Sequence, residues 1–176
     1  TKSMINVSTA LITKNIKSII RSLIDIELKQ FSNVRMGTVF LHNVLTDIIV
    51  SLKLDDILEF YIKHIQDTYN VKAGFVTLNF SKLSKYFHSL NIYDSVVQTP
   101  INSIGFQMNP DINSNLKAIN NFKGNLVAMS TLAAGYLKPK EAYEFISNIN
   151  KINTIIVGCS SKEHLVESYE EIIGNY

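Results

Sequence analysis

The side chains of this sequence that could do chemistry stand mostly just past short apolar runs. His42 closes the run Thr38 to His42, and Thr46-Asp47 follows on what reads as a loop. An imidazole at a strand end can orient a substrate or move a proton near neutral pH, and a nearby carboxylate can act as acid or base. The plain alternatives are a histidine satisfied by a backbone carbonyl and an aspartate that turns the chain. A second group is Gly158-Cys159-Ser160-Ser161-Lys162. Glycine permits close backbone approach, and Ser160 or Ser161 can cap a following helix whose free N–H groups and dipole attract anions. Lys162 adds positive charge in the first turn; the same residues also make an ordinary capped helix with a solvated lysine. Cys159 lies where a thiolate would be stabilised, but no His or second Cys stands at a nucleophile–base spacing, so a small buried residue is expected. Gln107-Met108-Asn109, after Ser103, forms a polar loop expected to line the same rim. His64 and His88 fall on helical segments as surface or boundary residues. No acidic or histidine spacing matches a metal pattern, so no metal is expected.

The elements that must position these residues follow from periodicity. Six apolar stretches rich in β-branched or aromatic residues read as strands: Ile5 to Ile12, Thr38 to His42, Ala73 to Leu78, Val96 to Ile101, Leu126 to Ser130 and Thr154 to Gly158. Helical spacing predicts helices over Lys14 to Phe31, Asp55 to Tyr69, Ser81 to Leu90, Asn113 to Phe122, Pro139 to Asn148 and Ser161 to Ile173. Asp55 and Asp56 open one of them where the macrodipole favours acids, and Pro139 suits a first helical turn. The strands are continuous rather than alternating apolar runs, as a sheet covered on both faces requires. Strict alternation of strand and helix then implies a parallel sheet with right-handed crossovers. A closed (β/α)8 barrel needs eight strands and about 250 residues. At roughly 30 residues per strand–helix unit, this chain holds about six units and lacks two. The expectation is an α/β, TIM-barrel-like single domain over residues 1–176, with an open doubly wound sheet as the alternative.

Composition narrows the partners. The chain has 176 residues, 46% hydrophobic and 18% charged, which suits one folded domain with a real core. The net charge of +2 is scattered without a basic stripe, so no nucleic-acid partner is expected. Apolar runs are short and interrupted, so no membrane span is expected, and Thr1 to Thr13 show no leader pattern. One cysteine allows no internal disulfide, which makes the cytoplasm the default compartment.

The ordered strand ends carry a resemblance. Val39-Phe40-Leu41-His42, Gly74-Phe75-Val76-Thr77-Leu78-Asn79-Phe80, Val96-Val97-Gln98-Thr99-Pro100-Ile101-Asn102, Val127-Ala128-Met129-Ser130-Thr131-Leu132 and Ile155-Ile156-Val157-Gly158-Cys159-Ser160-Ser161-Lys162 resemble, in order, strands four to eight of the aldo-keto reductase family. Val7-Ser8-Thr9-Ala10-Leu11 takes the place of its third strand. The resemblance implies a barrel that binds NADP(H) and reduces small carbonyl substrates, with an Asp, Tyr, Lys and His tetrad. His42 matches the His; Ala10 occupies the Lys position and carries neither charge nor proton; the Asp and Tyr segments would precede Thr1. By the same resemblance Asn79 and Gln98 hold the nicotinamide carboxamide and Ser130 lies near the phosphates. Gly158, Ser160, Ser161 and Lys162 form the phosphate-binding helix start, and Glu167-Ser168 replaces a Glu-Asn pair at adenine. Leu78 stands where the family has Ser. Three functions follow: an NADP(H)-dependent oxidoreductase, a non-catalytic barrel that keeps an anion or nucleotide pocket, or a barrel enzyme acting on a phosphorylated metabolite. A small-molecule ligand is expected in each, and the two absent units imply self-association or an N-terminal piece supplied elsewhere.

Overall fold

The computed structural model describes residues 2–175. Its first element departs from the expectation. Residues expected as the strand Ile5 to Ile12 belong to a long helix, α1 (Lys2–Lys29). No glycine or proline occurs before Gly37, so nothing stops the helical spacing that begins downstream from propagating back. The β-branched residues there favour strand only weakly, and a continuous helix overrides them. Ala10 therefore sits within a helix and not at a strand end.

The remaining elements alternate as expected, with one addition. They are β1 (Thr38–Leu41), α2 (Asn43–Leu52), α3 (Asp55–Tyr69), β2 (Lys72–Val76), α4 (Phe80–Ser89), β3 (Val96–Pro100), α5 (Ile112–Asn121), β4 (Asn125–Met129), α6 (Pro139–Ser147), β5 (Thr154–Ile155) and α7 (Lys162–Asn175). The short helix α2 stands where a loop was expected. Its apolar residues Ile49 and Val50 face the core, and Lys53 ends it in the left-handed conformation. Asn70 ends α3 in the same way, leaving a tight return into β2. Asp111 caps α5, its carboxylate accepting from the Ser114 N–H at 2.8 Å.

All five strands are parallel and lie in sequence order, β1-β2-β3-β4-β5, so each crossover steps to the adjacent position. The register aligns Leu41 with Phe75, Phe75 with Val97 and Val97 with Leu126. Paired residues in a parallel sheet share a face, and this row belongs to the core under the helices, joined by Ile57, Leu58, Tyr61, Phe80, Leu83 and Phe87. The other face carries Phe40, Gly74 and Val96 in one row and Val76, Gln98 and Val127 in the next. Of these, Phe40, Val76, Val96 and Gln98 remain half-exposed and stand outside the core cluster. The sheet is thus packed on one side and largely open on the other.

Helix α1 docks on α3 through Ile16, Ile20, Ile24 and Leu28, one per turn. Polar contacts flank that seam. Asp25 accepts from the Tyr69 hydroxyl at 2.5 Å and lies 2.9 Å from His64 Nε2, while Lys17 pairs with Asp56 at 3.1 Å. His64 is accordingly a buried interface residue and not a surface one, because the stack on Phe60 and the Asp25 contact satisfy it there.

Candidate functional site

Parallel strands put their C-terminal ends along one edge of the sheet, so the residues after each strand share that edge. They form two separate groups along it.

The first group follows β1 and β2. His42 is exposed and serves as the N-cap of α2, its Nδ1 accepting from the Val44 N–H at 3.3 Å. Asp47 is not on a loop: α2 starts at Asn43, and the carboxylate projects from that helix to the end of β2. It accepts from the Thr77 hydroxyl at 2.5 Å, the Leu78 N–H at 3.2 Å and the Asn79 side-chain amide at 3.3 Å. Thr77 Oγ1 in turn accepts from the Asn79 N–H at 2.9 Å. Both carboxylate oxygens are engaged, so Asp47 straps α2 to the end of β2. Asn79 gives one of its two amide hydrogens to that strap.

Between the groups, Gln98 lies on the open face of the sheet, where its amide nitrogen is 3.1 Å from Met129 Sδ. Buried Asn102 ties the loop after β3 to the end of β4, donating to the Phe106 and Ser130 carbonyls and accepting from the Phe106 N–H.

The second group is a cavity of about 890 Å³ at the ends of β4 and β5. Its wall includes Gln107, Met129, Ser130, Leu132, Leu137, Ile156, Gly158, Cys159, Ser160, His164 and Glu167. One rim is the loop after β4, where Ser130, Ala133, Ala134 and Gly135 all have positive φ. Three of those are not glycine, and such backbone strain concentrates where a loop is held in a required shape. The opposite rim is the start of α7. Ser161 Oγ caps that helix by accepting from the His164 N–H at 3.2 Å, and Ser160 Oγ lies 3.1 Å from His164 Nδ1. Glu163, in the first turn, is held below the usual carboxylate range by its own backbone N–H and by Ser161. A Cβ added to Gly158 would meet no atom within 4 Å, so the space over that glycine is open.

Of the residues expected to bind a cofactor, the cavity gathers Ser130, Gly158 and Ser160, and Gln107 joins them. His42, Asp47, Asn79, Gln98, Ser161 and Lys162 stand outside its wall. Cys159 was expected to be buried; it is exposed in the wall, because β5 ends at Ile155 and the residues after it run over the surface. Two wall residues carried no signal taken from the sequence. His164 stands four residues after Ser160, a spacing that pairs side chains once the helix start is placed. Tyr143, on α6, is fully buried, and its hydroxyl has no hydrogen-bond partner among the described residues.

Among the described residues no group of three or more His, Cys, Asp or Glu side chains could hold a metal ion, and no helix is long and apolar enough to cross a membrane. Neither a protein-family model nor a curated protein sequence matches this chain.

Proposed function

We propose that the chain is an arc of a (β/α)8-type barrel whose cavity at the ends of β4 and β5 binds a phosphate-bearing nucleotide, NADP(H) on the resemblance to aldo-keto reductases. The strand order supports the arc. A doubly wound sheet reverses its order at a switch point, whereas these five strands run straight through. In a closed barrel the face carrying Phe40, Val76, Gln98 and Val127 would be the interior, which accounts for its apolar character despite its exposure.

The observation that carries the ligand reading is convergence: Ser130, from one strand end, meets Gly158 and Ser160, from the next, in one cavity wall. Open space over Gly158 leaves its backbone approachable, and the positive end of the α7 dipole suits phosphate oxygens. Ser160 supplies a hydroxyl, and Lys162, in the first turn but outside the wall, adds positive potential. When bound, NADP(H) supplies hydride chemistry. This chain's own residues bind the phosphate end; with Ala10 in a helix and Asp47 hydrogen-bonded to the end of β2, the described residues of this cavity assemble no tetrad of the family's kind. Binding without turnover is therefore favoured over carbonyl reduction for this chain.

Titration with NADPH, followed by its fluorescence, tests the reading. Saturable binding is expected. Gly158→Val should abolish it without loss of stability, since the added methyl groups enter open space. Absence of NADPH binding by the unaltered chain would overturn the nucleotide reading.

A further inference from the structure

We propose that this chain associates head to tail with a second copy of itself, the outer face of α7 on one copy seated on the outer face of α1 on the next. The inference is independent of what the cavity binds. Helix α3 lies in the link from β1 to β2, and α6 in the link from β4 to β5. The helices packed on them, α1 and α7, therefore stand toward opposite ends of the sheet, so one copy does not cover both with itself. Each turns a stripe of apolar side chains to solvent at helical spacing: Ile19, Leu23 and Ile26 on α1, and Leu165, Tyr169 and Ile173 on α7. Such a stripe is the kind of surface that buries against another helix.

Charge selects the partner. The sequence of α1 holds five Lys or Arg and two acids, whereas that of α7 holds four Glu and one Lys. The two helices are opposite in sign, so α1 repels a second α1 and attracts α7, and α7 likewise repels its own kind. The flanks of the stripes fix the direction. At about 100° per residue, Lys29 falls on one side of the α1 stripe and Glu27 on the other, while Glu163 and Glu170 share one side of the α7 stripe. All four are exposed, and among the described residues none of them is in an ion pair. Packed parallel, the helices set Lys29 on the side of Glu163 and Glu170; packed antiparallel, they set Glu27 there. The contact is therefore parallel. Because two different faces meet, it builds an extended array unless two copies close on each other through two such contacts.

Sedimentation of paired variants tests the proposal. Leu23→Ser removes the middle of the α1 stripe and Tyr169→Ser the middle of the α7 stripe; both side chains are exposed, so the fold should survive, as circular dichroism will show. The unaltered chain should associate as its concentration rises. Each variant alone should sediment as a monomer under the same conditions, since every contact needs both faces. An equimolar mixture should form a one-to-one complex, from the intact α1 of Tyr169→Ser and the intact α7 of Leu23→Ser. Lys29→Glu and Glu170→Lys should each weaken self-association about three- to tenfold at low ionic strength, and the double variant should recover most of it. If either serine variant loses its fold, these reversals carry the test alone. A monomer at every concentration, a folded serine variant that self-associates as the unaltered chain does, a mixture without a complex, or charge reversals that leave association unchanged or strengthen it would each overturn the inference.

Discussion

The carboxylate of Asp47 takes three hydrogen bonds from the end of β2, one of them from the Leu78 backbone N–H. Asp47→Ala would strand the Leu78 N–H and the Thr77 hydroxyl, a loss of about 2–3 kcal/mol. Urea denaturation should show that loss while NADPH affinity stays the same; an affinity change without a stability change would restore Asp47 to the site. Asp25 makes the corresponding statement about pH. The Tyr69 hydroxyl, together with His64, holds its carboxyl below the usual range against the opposing effect of burial. A depressed folded pKa contributes stability above the unfolded value of about 3.9 and loses it as pH falls through the folded pKa. The stability gap between the protein and Asp25→Asn should therefore be widest near neutral pH and close as pH drops below about 4. Tyr69 shows the opposite shift: burial first, then Asp25, push its hydroxyl up to about 12.

At the scale of elements, the close approach of α5's exit to β3 depends on one residue. A Cβ at Gly124 would lie 2.6 Å from the Ser95 carbonyl oxygen, a backbone atom that cannot turn aside. The Asn125 N–H donates to that same carbonyl at 2.8 Å, so the contact also sets where β4 begins. Gly124→Ala should cost about 1–3 kcal/mol in a thermal or urea melt. A neutral outcome would mean that β4 can enter the sheet by another path. Helix α1 shows how elements compete: propensity read over a few residues favoured a strand, and an uninterrupted helical period over twenty-eight residues won.

For the whole molecule, the exposed surface is as telling as the core. Strands β1 and β5 each pair on one side only. The end helices carry apolar stripes at helical spacing that face solvent: Ile19, Leu23 and Ile26 on α1, and Leu165, Tyr169 and Ile173 on α7. Together with the half-open face of the sheet, these apolar surfaces lack a covering partner among the described residues. The chain is expected to self-associate in a concentration-dependent way in analytical ultracentrifugation. A monodisperse monomer over a wide concentration range would show that these surfaces need no second copy to cover them.

The sequence by itself determined five strands and most of the helices, because a buried parallel strand and an amphipathic helix each leave a local period. Asp55–Tyr69 was legible to the residue, with its acids at the start and its apolar series behind them. Gly158 and Ser160 were legible as candidates from a glycine and a cap serine before a helix, and Ser130 only through the resemblance. Tertiary structure alone decided the rest. The hydrogen bonds of Asp47 to the end of β2 were set there because only the folded chain brings β2 within reach of it. Cys159 became exposed because β5 ends early, and His164 and Tyr143 reached the cavity because α6 and α7 pack together around its wall. Periodicity is a property of neighbouring residues, whereas a site is made of residues far apart in the chain, and the distance between those is set only when the elements dock.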